Sequence, residues 1–217
     1  MQSPHQPLVP GQFYHVYNQG NNRENLFTSI EHFHRFLDTF KLYLGHYVDT
    51  FAFCLMGNHF HILIRIRDAE SIHQAAHIDG MIAHDTTALP APEALVSERF
   101  RRFYISYAKY FNLKQCRKGS LFLKNFRREL VGTEPYLLYL VYYILSNPKK
   151  HGFVDDFRTY QFSSLTDTFG SAPTWIARDE LLDWFGGVDG LKTFLHSCET
   201  TRAGRLFSPP DEDEIVS

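Results

Sequence analysis

Apolar-rich runs over Phe13–Tyr17, Val48–Met56 and His59–Ile66 read as β-strands, and helical spacing of apolar residues marks the segments between and after them. Asn18–Asn22 is rich in turn residues and closes the first strand. Phe33, Phe36, Leu37, Phe40 and Leu44 then recur at helical spacing. Thr28 with Glu31 predicts a capping-box start for that helix, and Gly45 its end. Gly57-Asn58 predicts a two-residue hairpin turn joining the second and third strands. Residues 67–97, with Pro90 and Pro92, read as a long surface excursion. A second helix is expected from Glu98 to Leu113, a fourth strand from Ser120–Phe126 onward, and a third helix from Thr133 or Glu134 to Asn147, where Pro148 stops it. The order β-α-β-β-α-β-α predicts an α+β sandwich of the ferredoxin-like split βαβ type, with a central antiparallel sheet of four to five strands. Beyond Gly170, Asp179–Phe185 and Gly190–Cys198 read as small helices.

At 217 residues the chain suits one domain, or one domain with an appendage. No apolar run is long enough to span a membrane, and the N-terminus lacks the pattern of a secretion signal. The three cysteines, Cys54, Cys116 and Cys198, form neither a disulfide framework nor a Cys-x-x-Cys pair, so a reducing, cytoplasmic setting is expected. The net charge of −2 argues mildly against a nucleic-acid partner, but its distribution reverses that inference. Arg99 to Arg128 holds ten Lys or Arg, no Asp or Glu, and eight aromatic residues. Cations beside rings suit a single-stranded nucleic acid. Four acidic residues, Asp211–Glu214, sit in an expected disordered tail and offset that block.

His59-Phe60-His61 carries the candidate chemistry. On a strand the two imidazoles project to one face and Phe60 to the other, which makes half of a metal site. His32-Phe33-His34 has the same pattern, but its helical setting points the two rings apart. In the third helix, Tyr136 is followed one turn on by Leu140, Tyr139 by Tyr143, and Tyr142 by Ser146. Tyr143 alone is followed by a carboxamide, Asn147, which places a phenol beside an amide oxygen able to act as a third ligand to a metal on His59 and His61. His15 on the first strand reads as packing, and His73, His77 and His84 have no assigned role.

A strand with His-hydrophobic-His and a later helix with Tyr-x-x-x-Asn-Pro resembles the HUH single-tyrosine transposases, and among them the REP-associated tyrosine transposases. The likeness takes in Phe13-Tyr-His-Val with Gly20, Met56-x-Asn58-His-Phe-His61, Tyr107-Ala-Lys-Tyr-Phe-Asn112, Lys118-Gly-Ser-Leu-Phe122, Tyr143-Ile-x-x-Asn-Pro148, Lys150-His-Gly152 and Phe162-Ser-Ser164. It departs at Gly57, where the family often has Pro, and at Lys149, where a small apolar residue is usual. The resemblance spans residues 11–170, leaving 171–207 as a small helical module and 208–217 as the acidic tail.

The resemblance implies a DNA endonuclease and strand transferase, active in transposition and recombination. Tyr143 would be the nucleophile, and His59, His61 and Asn147 the ligands of Mg²⁺ or Mn²⁺. The implied partner is single-stranded or hairpin DNA, and the protein could act as a monomer or a homodimer. Arg101, Arg102, Lys118, Lys124, Arg127 and Arg128 are the candidate DNA contacts, and His151 could back a metal ligand. The rival readings are a domesticated protein that binds hairpin DNA or RNA without cutting, a replication-initiator or relaxase-like nicking enzyme, and a metal hydrolase that uses water.

Overall fold

A computed structural model describes residues 6–83, 88–124 and 126–200. Four strands, β1 (Phe13–Gln19), β2 (Val48–Met56), β3 (His59–Ile66) and β4 (Arg127–Leu130), form one antiparallel sheet in the order β2-β3-β1-β4. This is the split βαβ arrangement expected of the chain, with four strands among the described residues. Seven helices accompany it among the described residues: α1 (Ile30–Leu44), α2 (Ala69–Ile78), α3 (Pro92–Lys114), α4 (Glu134–Lys150), α5 (Leu165–Phe169), α6 (Arg178–Asp183) and α7 (Val188–Thr200).

Alternation along the strands divides the core in two. On one face, Tyr14, Val16, Phe60, Ile62 and Ile64 pack against Phe36 and Phe40 of α1 and Phe100, Phe103 and Tyr107 of α3. The opposite face is covered by α4, whose Leu140, Tyr143 and Ile144 join Cys54, Met56 and Leu63. His59 and His61 alternate with Phe60 and therefore face α4. On α1, His32 is buried and His34 exposed, as expected of residues two apart on a helix.

Several boundaries differ from the sequence expectation. Helix α1 begins at Ile30 after Ser29 rather than from a Thr28 capping box, because the Thr28 hydroxyl is engaged with Nδ1 of His32 at 3.0 Å. The 67–97 excursion contains α2, capped by Asp68, whose carboxylate accepts from the Ser71 amide, and α3 begins at Pro92. Proline is suited to a first turn because its missing N–H has no helical partner there. The fourth strand occupies only Arg127–Leu130; before it, Phe122 makes a single bridge to Gly20. Pro148 lies inside α4, which continues to Lys150 because Pro148 lacks only its own N–H, and the His151 amide still reaches the Asn147 carbonyl.

Gly57-Asn58 does turn the chain in two residues, with Met56 opposite His59. Neither residue adopts a left-handed conformation. The turn is held from outside: the Leu26 and Phe27 amides both donate to the Gly57 carbonyl, and the Gly20 amide donates to Asn58. A Cβ on Gly57 would stand 3.2 Å from Asn25 Oδ1, so close approach explains the glycine.

The chain after α4 wraps strand β2, the sheet edge. Leu55 donates to Phe162, Ser164 to Phe53, and Ala177 to Thr50. Trp175 stacks on Phe53 on the α1/α3 face, at 5.5 Å between centroids. Trp184 stacks on Phe51 on the α4 face, at 4.6 Å. A register shift between Thr50 and Ala52 makes room for Phe51. Arg65 ties the wrap down, bonding Asp49 and Glu180 at 2.9 Å each through Nη2. The acidic tail 208–217 lies outside the described residues.

Candidate functional site

Strand β3 and helix α4 build the site together. The Tyr143 ring meets His61 edge-on, with centroids 5.7 Å apart. Two turns along α4, His151 meets His59 at 4.9 Å. Asn147 lies one turn after Tyr143 and one turn before His151, the residue that caps α4. His59, His61 and Tyr143 thus meet within one chain, with Asn147 one turn from Tyr143 along α4. Tyr143 is only 4 % exposed, and Nζ of Lys150 stands 5.0 Å from its ring centroid.

The histidines are oriented from behind. Nδ1 of His59 lies 2.7 Å from Oδ1 of Asn58, an acceptor that holds the proton on Nδ1 and directs the lone pair to Nε2. Nδ1 of His61 lies 2.9 Å from Nε2 of His15. Both Nε2 atoms of the pair are buried. Tyr17 stacks on His15 at 4.7 Å and on His61 at 5.8 Å. On the far side of β1, Glu129 of β4 is the direct cross-strand partner of His15. Burial raises the Glu129 carboxyl above its ordinary pKa, and burial together with Glu129 raises the Tyr136 phenol.

Asn147 supplies the fit test for a metal. It is fully buried, and neither its oxygen nor its nitrogen has a hydrogen-bond partner among the described residues. Such an orphaned amide costs about 1–3 kcal/mol unless something satisfies it. A cation accepting Oδ1 would do so, and two imidazoles plus an amide oxygen form a donor set suited to Mn²⁺ and, with phosphate oxygens, to Mg²⁺. Among the described residues, no group of three or more His, Cys, Asp or Glu side chains could hold a metal ion.

The basic block divides between the two sheet faces. Arg101 and Arg102 lie on α3, both paired with Glu98, whose pKa they pull down to about 2. Arg127 is exposed and lies opposite Tyr17, on the face of the histidines. Arg128 alternates to the other face, where its guanidinium donates to the Gln6 carbonyl and covers Phe126. Lys118 and Lys124 are exposed in the loop before β4. His15, Tyr17 and Glu129 are the neighbours that sequence reasoning missed. Their only signal is alternation along β1 and β4, and it needs the register between strands to become a location.

A solved structure described as a REP-associated tyrosine transposase bound to a REP hairpin superimposes on this chain with a TM-score of 0.54, covering 80 % of this chain and 89 % of that one at 17 % identity. The fold is that of a REP-associated tyrosine transposase. No family model and no curated protein matches the sequence. The match spans most of both chains. No helix among the described residues is long and apolar enough to cross a membrane.

Proposed function

We propose that this protein is a divalent-metal-dependent DNA transesterase that cuts and rejoins single strands beside a hairpin, with Tyr143 as nucleophile. The observation that carries the reading is the single face of α4 on which Tyr143, Asn147 and His151 stand against His61 and His59. That a protein of the same fold holds a REP hairpin supports DNA as the partner.

The phenol oxygen of Tyr143 attacks the scissile phosphorus. A 5′-phosphotyrosine ester forms as the bond from phosphorus to the 3′ oxygen breaks, and that oxygen leaves to become a 3′-hydroxyl. The ester conserves the bond energy, so a second 3′-hydroxyl reverses the step and joins a new strand without ATP. His59, His61 and Asn147 would hold Mg²⁺ or Mn²⁺, which when bound polarises the phosphate oxygens and favours charge on the departing oxygen. Asn58 keeps the His59 proton on Nδ1, and Tyr17 fixes the plane of the His61 ring.

The test is incubation with labelled hairpin DNA and Mg²⁺ or Mn²⁺, followed by denaturing electrophoresis. A protein–DNA adduct that disappears in Tyr143→Phe is expected; no adduct, or one that survives the substitution, overturns the reading. The burial of Tyr143 favours a second reading, a hairpin-binding protein that does not cut. Tight hairpin binding with no adduct under any metal would select it.

A further inference from the structure

His15 is 2 % exposed, in contact with His61 and Tyr17, and distant in sequence from both catalytic segments. Two neutral imidazoles joined through Nε2 of His15 and Nδ1 of His61 share a single proton, and they can do so in two ways. With the proton on His61 Nδ1, its Nε2 carries a lone pair. With the proton on His15 Nε2, both protons of the pair sit on Nε2 atoms, and His61 presents an N–H to the site. Only the first arrangement leaves His61 able to ligate a cation.

We propose that His15 is a positioning residue that accepts the Nδ1 proton of His61 and so turns the His61 Nε2 lone pair towards the metal. The proposal rests on the metal role of His59 and His61 put forward above. Two features support it besides the 2.9 Å contact. The His15 and His61 planes are within 22° of each other, and Tyr17 stacks on both, so the rings have one shared orientation. His59 already has the equivalent arrangement, with Asn58 as its acceptor. The two candidate ligands are thus matched, each with an acceptor behind Nδ1 and a buried Nε2.

The variants are His15→Phe, which keeps a ring and removes the acceptor, and His15→Gln, which keeps an amide oxygen near the Nε2 position. Mn²⁺ uptake is read by electron paramagnetic resonance and calorimetry, without DNA. His15→Phe should bind Mn²⁺ about 10–100-fold more weakly than wild type, with His15→Gln substantially restored. In metal-free wild type, long-range nitrogen-15 NMR should find the His61 proton on Nδ1. Wild-type affinity in a folded His15→Phe protein, or a His61 proton on Nε2 in wild type, overturns the proposal. Absence of Mn²⁺ uptake by wild type overturns the metal reading itself and this proposal with it. Should His15→Phe fail to fold, the NMR measurement on wild type decides alone.

Discussion

Tyr143 meets His61 edge to face, with ring planes at 87°, and meets His15 at 82° on the adjoining strand. The ring is thus a packing element as well as the bearer of the candidate nucleophile. Tyr143→Phe keeps those contacts and should leave thermal stability nearly unchanged while abolishing the adduct. Tyr143→Ala should cost about 3–5 kcal/mol by analogy with other buried aromatic truncations, read by urea unfolding. Equal stability of the two variants would contradict the packing role.

Asn147 sets function against stability. Replacing the orphaned amide by a similar-sized apolar side chain removes its desolvation cost. Asn147→Leu should raise the stability of the metal-free protein by about 1–3 kcal/mol and lower Mn²⁺ affinity. A destabilised variant would mean that the amide is satisfied in solution.

The two arginine groups should respond differently to salt. Arg127→Ala is expected to weaken hairpin binding and to reduce the slope of log affinity against log salt by about one unit. Arg101 and Arg102 already pair with Glu98 on the other side of the sheet, so their joint replacement by Ala should change the slope much less. Equal losses from both would require DNA contact on both faces.

His32 gives a pH signature. Burial holds its pKa below the ordinary histidine value, and its Nδ1 accepts from the Thr28 amide. The neutral form is therefore favoured in the folded state. As pH falls below about 6.5 the unfolded chain protonates first, so stability is present above that pH and declines towards the lower folded pKa. His32→Gln should flatten this part of the stability–pH curve. Parallel curves for wild type and His32→Gln would refute the assignment.

Arg65 of β3 bonds Asp49 of β2 and Glu180 of α6, and its guanidinium lies 5.3 Å from the Phe51 ring centroid. Arg65→Met should destabilise the protein by about 1–3 kcal/mol and speed proteolysis within 171–200. Uniform cleavage along the chain would argue against a local fastening.

The β3 strand, its hairpin and the Tyr143–Asn147 spacing were legible because each depends on residues close in sequence. His15 was not. An imidazole between a tyrosine and valine on a strand looks like packing until β1 is set antiparallel to β3, and the diagonal from His15 to His61 arises only from that register. Pro148 misled for a related reason. Proline's local rule ends helices, but packing of α4 on β2 and β3 carries this one three residues past the expected end, to Lys150. The strand expected from Ser120 gave way where Phe122 and Phe126 turn into rings of α3, including Tyr104. The basic block was visible as composition, whereas its division between two faces required alternation at Arg127 and Arg128 to be set against a known sheet.

Residues 160–177 run along β2 and occupy its outward-facing peptide groups at Thr50, Phe53 and Leu55. A bare strand edge recruits other strands, so this segment serves as a built-in guard against self-assembly. Trimming the chain before residue 160 would therefore yield a sticky sheet rather than a smaller stable protein. Growth of the sheet by a second copy is left to the short β4 edge, beside Arg127 and Glu129.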